Sequence, residues 1–407
     1  MEPTNTDILI IGGGVNGTSI AMALAGRNMG KITLIEKGGL ATGATGRSGA
    51  MVREHYLNVE LVRMASDAKK FFEEWPKEMG YDLKFQTTGR ILLFNESDAG
   101  AAIANGEMNR TEGVNIETLN PNTTKEIIPL ANLDDVKVSL YEPEAGYADP
   151  VATTYAFAKE AQKNGVELLT RTPVKNILVE GGRVTGVETV NGKINAEIII
   201  NVTGPWANTL IGQNDVPLPI TPIRVQMVHL RRPPKLEKLE HIIIDHTCGA
   251  YYRTDGTPNT LVGGEAPEDM SEIVNPDTFS LNADHDFITR FWNRAINRFP
   301  DFADAICRGG YGSLYDMTPD GNPILDESPN IAGLYNVAGF SGHGFKLSPI
   351  TGEMVADLVT GQSKSPHDHN FFRSSRFVEN SLITPARPYS GRAVSYTHLT
   401  LPTICSV

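Results

Sequence analysis

The chain has 407 residues, with 36 lysines and arginines against 48 aspartates and glutamates, a formal charge of −12 and a pI near 5.3. That length is ample for a large core and two domains, and the acidic balance, with no basic stripe, argues against a nucleic-acid partner. Mean hydropathy is −0.20, no apolar run is long enough to span a bilayer, and Cys248, Cys307 and Cys405 are scattered without metal spacing, as expected of inert thiols in a reducing cytoplasm.

The first element is the apolar strand Ile8 to Ile11, which runs straight into Gly12-Gly13-Gly14-Val15-Asn16-Gly17. A helix is predicted over Thr18 to Arg27 and a second strand over Lys31 to Ile35, ending on Glu36. Strand, Gly-x-Gly-x-x-Gly, helix and acid in this order form a dinucleotide-binding unit. Gly12 permits the tight turn, Gly14 lets the backbone approach a pyrophosphate, and Gly17 lets helix and strand pack closely. Free N–H groups at the helix start suit the phosphates, and Glu36 is placed for a ribose.

The next stretch, Gly38 to Gly49, is too rich in glycine for a regular element, and a long loop of this kind inside a domain is usually functional. A helix follows over Leu57 to Trp75, then a strand over Thr88 to Phe94 and a polar, helix-prone region. Pro150 to Asn164 reads as a helix capped by Asp149. Three strands (Thr172 to Glu180, Arg183 to Val190, Lys193 to Ala196) are joined by Gly181-Gly182 and Asn191-Gly192 turns. Ala196 to Val202 has the unbroken apolar pattern of a buried parallel strand, ending at Thr203-Gly204-Pro205-Trp206. Residues 217–308 mix strands (Arg224 to Leu230, Ile242 to Asp245, Thr260 to Gly263) with one helix, Asp284 to Phe299. The last third resumes the pattern of the N-terminal unit, with a strand Gly333 to Gly339, a glycine-rich turn Phe340 to Lys346 and a helix Ser348 to Thr360. Only one Gly-x-Gly-x-x-Gly is present, so one dinucleotide is expected. Ala393 to Thr403 fits no preceding element and looks appended.

These motifs resemble the FAD-dependent D-amino-acid oxidase superfamily, and within it the sarcosine oxidases, glycine oxidases and related amine dehydrogenases. The likeness covers most of residues 5–362. It rests on Gly12 to Gly17 with Glu36, on Thr42 to Ser48, on Val202 to Ala207, and on Tyr315-x-x-Thr318-Pro319-Asp320 followed by Gly339 to Lys346. It implies an α/β fold with a discontinuous Rossmann-like FAD-binding domain (1–85, 145–216, 309–375), a mixed-sheet α+β substrate domain (86–144, 217–308) and a tail (376–407). FAD is expected on Gly12, Gly14, Val15, Asn16, Gly17, Glu36, Lys37, Thr45, Gly46, Arg47, Ser48, Val174, Thr203, Gly204, Trp206, Gly312, Gly342, His343, Gly344 and Lys346. The resemblance carries substrate-carboxylate binding onto Arg53 and Lys346, a role toward substrate or flavin onto His343, and a substrate cap onto Tyr251 or Tyr252, with Tyr252 placed in the catalytic group.

The implied reaction is oxidation of the C–N bond of a small amino acid, preferably secondary or N-methyl, to an imine that hydrolyses. Two departures bear on it. Monomeric sarcosine oxidase links its flavin to a cysteine two residues before the motif tyrosine, where this chain has Ser313. The oxidases also use a substrate-domain lysine toward dioxygen, and Thr254 to Glu268 contains none. Electrons therefore go to O2 or to a redox partner or quinone, and a hetero-oligomer is compatible with the acidic surface. His55 is a candidate for covalent flavin attachment. A 2-hydroxy-acid or glycerol-phosphate oxidoreductase, and a noncatalytic FAD-holding subunit, are the alternatives.

Overall fold

The computed structural model of the protein describes residues 4–211 and 215–390, so the appended-looking stretch 393–403 lies outside the described residues. A six-stranded sheet runs in the order Glu167–Leu169, Ile32–Ile35, Ile8–Ile11, Ile198–Asn201, Leu334–Ala338, Ile324–Glu327. Its neighbours are parallel except the last pair. Ile8–Ile11 and Ile32–Ile35 are buried along their whole length, which is why they read as continuous apolar runs and not as alternation.

Two helices lie side by side against this sheet, Val15–Ala25 and Gly344–Thr360. They approach so closely that a Cβ on Gly352 would stand 2.8 Å from the carbonyl oxygen of Ser19. Ser19 Oγ donates to the Ser348 carbonyl at 2.7 Å across the same contact. The helix Pro150–Lys163 is capped by Asp149, whose carboxylate accepts from the N–H of Val151 and Ala152. The strands Val174–Glu180, Arg183–Thr189 and Gly192–Asn195 form the expected antiparallel set.

The second large sheet has eight strands, in the order Ile306–Met317, Thr221–Arg231, Asn259–Gly264, Ala250–Thr254, Ile242–Asp245, Arg90–Phe94, Val138–Glu142, Glu117–Leu119. Only the Ile242–Asp245 and Arg90–Phe94 pair is parallel. Strand alternation divides its side chains between two cores. Met227, Ile244, Tyr251 and Leu261 pack into the core that also holds Ile8, Ile10 and Leu34 of the six-stranded sheet. Val228, Ile243, Tyr252 and Val262 face the helix His285–Arg298 through Phe287, Phe291 and Ala295.

Three features differ from the sequence reading. The strand Ile306–Met317 crosses the boundary set at 308 and pairs along nearly all of Thr221–Arg231, a non-local pairing that leaves no short-range signature. The last helix begins at Gly344, not Ser348. Its first residue is a glycine because a Cβ there would lie 2.9 Å from Asn16 Nδ2 and 3.0 Å from the Phe340 ring, a close approach that the sequence shows only as a glycine-rich turn. Finally, residues 376–390 of the expected tail pack on the body. Arg376 and Asp320 form an ion pair at 2.7 Å with both side chains fully buried. Tyr389 is buried against Phe94, with ring centroids 4.7 Å apart.

Candidate functional site

A cavity of about 670 Å³ opens where the two helices begin. Gly12, Gly14, Val15, Asn16 and Gly17 line it from one side, Gly342 and Gly344 from the other. Both helices therefore direct their unsatisfied N–H groups and positive dipole ends at the same space. The glycines are required by contact. Gly12 has φ +123°, and a Cβ there would meet the Val202 carbonyl oxygen at 2.5 Å; on Gly17 it would meet the Gly12 carbonyl oxygen at 1.9 Å.

Glu36 lines the cavity with its carboxylate fixed by two backbone donors, Gly13 N–H and Gly38 N–H, each at 2.7 Å. A carboxylate has about four acceptor positions, so roughly two are left for diol hydroxyls. Thr45 accepts from Val15 N–H at 3.2 Å, and Arg47 clamps its own loop by donating to the carbonyls of Thr42 and Gly43. Both line the cavity, with Ser48, Val174, Thr203, Gly204, Lys37 and Trp206. The Lys37 ammonium sits 3.8 Å above the Trp206 ring. Asn16 Oδ1 is buried with no hydrogen-bond partner among the described residues, an acceptor held ready for a ligand donor. A glycine cradle, two helix starts, an oriented acid and an orphaned amide fit a flavin dinucleotide. Gly46 and Gly312 act differently: a Cβ on Gly46 would lie 2.3 Å from the Ala41 carbonyl oxygen, and on Gly312 2.4 Å from that of Ser280, so both serve packing.

Asp316 also borders the cavity. Its Oδ2 accepts from Gly339 N–H at 2.6 Å and its carbonyl accepts from Ser341 N–H at 3.1 Å, so it holds the turn that precedes Gly342. Burial pushes its carboxyl up to about 6, against the pull of the Gly339 amide.

Of the expected substrate group, Arg53 and His343 are linked beside this turn through Tyr56. Arg53 is buried, donates to the carbonyl of His55, and lies with its guanidinium 4.0 Å from the Tyr56 ring centre. Tyr56 in turn meets His343 edge-on, ring centroids 5.4 Å apart. Arg53 is thereby brought to the motif that ends at Lys346, itself buried in the first turn of its helix. His55 is not turned to the cavity lining: its Nε2 pairs with the Tyr389 hydroxyl at 3.0 Å. Tyr252, placed in the catalytic group by resemblance, lies on the far face of its strand, edge-on to Phe299 at 5.9 Å and 1% exposed. Its neighbour Tyr251 points the other way, its hydroxyl 3.8 Å from where a Gly49 Cβ would stand. Alternation along a strand puts adjacent tyrosines on opposite faces, and the sequence alone does not say which faces in.

Other residues of this region carry no local sequence signal. Glu142 Oε1 accepts from the N–H groups of Glu54 and His55 at 2.8 and 3.0 Å, while its Oε2 takes Arg90 Nη1 at 2.9 Å. That buried pair holds the loop bearing Arg53. Glu265 continues the row of Gly263, which stands opposite Tyr251 and Met227. Its Oε2 is buried, accepts no hydrogen bond among the described residues and lies 3.9 Å from His246 Nδ1; burial first, with the charge of Glu265 a lesser cause, pushes the Tyr251 and Tyr315 hydroxyls up.

Residues 7–358 match the family described as "FAD dependent oxidoreductase". The chain is 29% identical to the sarcosine oxidase subunit beta of Arthrobacter sp over 396 residues, covering 94% of each chain. It is 27% identical to the mitochondrial sarcosine dehydrogenase of Homo sapiens, spanning 88% of this chain but 40% of that one. Among solved structures, the L-proline dehydrogenase of P. horikoshii superposes with a TM-score of 0.84 at 30% identity, covering 94% of this chain and 100% of that one.

Proposed function

The chain belongs to the FAD-dependent oxidoreductase family, as an enzyme acting on C–N bonds of amino acids or amines with FAD as cofactor, and from that premise we propose that its substrate is a small amino acid, secondary or N-methyl in preference. When bound, FAD would supply the acceptor for the hydride that leaves the carbon beside the nitrogen as the N–H proton is lost and C–N becomes C=N. Arg53 and Lys346 bind the carboxylate, Arg53 by its planar fork and Lys346 as a point charge. Glu265, beside Tyr251 and Tyr315 with its Oε2 3.9 Å from His246 Nδ1, is the proposed acceptor for the amino nitrogen, which sets an amino acid apart from a 2-hydroxy acid. The imine product leaves and is hydrolysed. Electrons pass to dioxygen or to a redox partner, in a reducing cytoplasm that suits the free thiols Cys248 and Cys307.

The observation that carries this reading is the stacking of Arg53 on Tyr56 and of Tyr56 against His343, which draws a buried cation from an early loop to the turn leading into Lys346. An isolated structural arginine would be satisfied without this convergence. The test is an anaerobic absorption spectrum of the flavin-loaded protein before and after adding sarcosine, proline, glycine or D-alanine. Bleaching by one of them supports the assignment, and the rate of recolouring in air separates an oxidase from a dehydrogenase. A flavin that no amino acid bleaches but a 2-hydroxy acid does would sink it. Among the described residues no helix is long and apolar enough to cross a membrane.

A further inference from the structure

The nucleotide cavity has a wall that does not come from the nucleotide-binding elements. Residues 271–284 follow the short turn Pro267–Met270, bridge to the eight-stranded sheet at Ile273 with Ile223 and at Asn282 with Tyr311, and reach the cavity between these points before entering the helix His285–Arg298. Pro276, Asp277, Phe279 and Leu281 line the cavity together with Glu36, Lys37 and Val174. Asp277 Oδ1 accepts from the Trp206 indole N–H at 2.7 Å and from Lys37 Nζ at 3.2 Å. With Lys37 above the Trp206 ring, three residues from three distant stretches close a triangle over one end of the cavity.

The base and the tip of this segment are held very differently. At the base, the guanidinium of Arg224, its side chain 3% exposed, donates to the carbonyls of Ser280 and Asn282 and pairs with Glu272 and Asp284. Gly312 N–H donates to the Leu281 carbonyl at 2.8 Å. At the tip, Lys37 and Asp277 are 51% and 57% exposed, so their ion pair is weakened by water and salt. Firm anchors flanking a tip held by one indole bond and one exposed ion pair describe a cover able to open without unfolding its base.

We propose that residues 275–279 form the outer wall of the FAD site, and that the latch of Asp277 to Lys37 and Trp206 controls how fast FAD leaves. The proposal rests on the FAD assignment and adds a substrate-domain contribution to cofactor retention. Exit requires the wall to swing out, and the latch is the contact broken when it does.

The experiment uses the full-length FAD-loaded protein. Release is followed after dilution by the rise in fluorescence of free FAD, for the parent, Asp277→Ala and Trp206→Phe. Removing a hydrogen bond to a charged group is expected to speed release by roughly tenfold or more in Asp277→Ala. Trp206→Phe, which keeps a ring beneath Lys37 but loses the N–H, should also release faster. Raising the salt concentration should accelerate release from the parent more than from Asp277→Ala. Equal release rates for the parent and both variants, with equal melting temperatures of the apoproteins, would overturn the latch and leave the FAD assignment standing. A parent that takes up no FAD at all would take both down.

Discussion

The carboxyl of Asp316 gives the cavity a measurable pH signature. Burial raises it from 3.8 to about 6, a displacement equivalent to about 3 kcal/mol. The sign follows from proton counting. Between these two values the folded protein holds a proton that the unfolded chain has lost, so stability falls as pH rises. The contribution is fully present below the ordinary aspartate range and is lost as pH climbs through about 6. Asp316→Asn cannot titrate. Its amide keeps an oxygen for the Gly339 N–H but loses the second carboxylate oxygen, a fixed offset at every pH. The informative quantity is therefore the slope. Urea unfolding of the parent and variant apoproteins should show the parent losing ground to the variant by about 3 kcal/mol from acid to neutral pH, roughly half of it between about pH 5 and about pH 8. Parallel curves across that range would refute the reasoning and mean that the Gly339–Ser341 amides offset the burial of Asp316.

Gly17→Ala should yield protein with almost no bound flavin, since its Cβ would stand 1.9 Å from the Gly12 carbonyl oxygen; the ratio of flavin to protein absorbance reads this directly. Lys346→Met should weaken binding of amino acids and of simple carboxylates alike, by about ten- to a hundredfold, in titrations of the flavin spectrum. Glu265→Gln should raise the KM of the amino acid about tenfold and leave the binding of an amine-free carboxylate unchanged; equal weakening of both ligands would remove Glu265 from amine recognition. Arg376→Ala removes the cation paired with the fully buried Asp320, and the melting temperature should fall by about 4–6 °C, in keeping with a loss of about 3–5 kcal/mol.

The parts of the molecule visible in the sequence are those whose chemistry is local. Gly12 to Gly17, the cap Asp149 and the Gly181-Gly182 turn each state their conformation within a few residues, and the structure has the corresponding elements. The strand Ile306–Met317 is invisible there because its stability comes from Thr221–Arg231 and not from its own glycine-rich sequence. Tyr251 and Tyr252 cannot be ranked without the fold, since which of two adjacent residues faces inward is fixed by register. Glu142, Glu265 and Asp277 stand in no motif. Two of them act through partners far along the chain, Glu142 through the amides of Glu54 and His55, Asp277 through Lys37 and Trp206.

That pattern bears on why the six-stranded sheet draws its strands from separate stretches of chain. In the proposed reading neither ligand belongs to one domain. The cations toward the substrate, Arg53 and Lys346, come from the nucleotide-binding segments, while the carboxylate of Glu265 comes from the eight-stranded sheet. FAD is held by the glycine loop and the two helix starts, yet its cavity is walled by Phe279 and Leu281 of the other unit. A zwitterion bridging Arg53, Lys346 and Glu265 would tie the sheet to the flavin turn, and the Asp277 latch ties the same sheet to the nucleotide end. Binding of either ligand then stabilises the domain contact that the other requires. An amino acid that binds without reacting should accordingly slow FAD release from the parent, and should do so less in Glu265→Gln, where the link through the amine is gone.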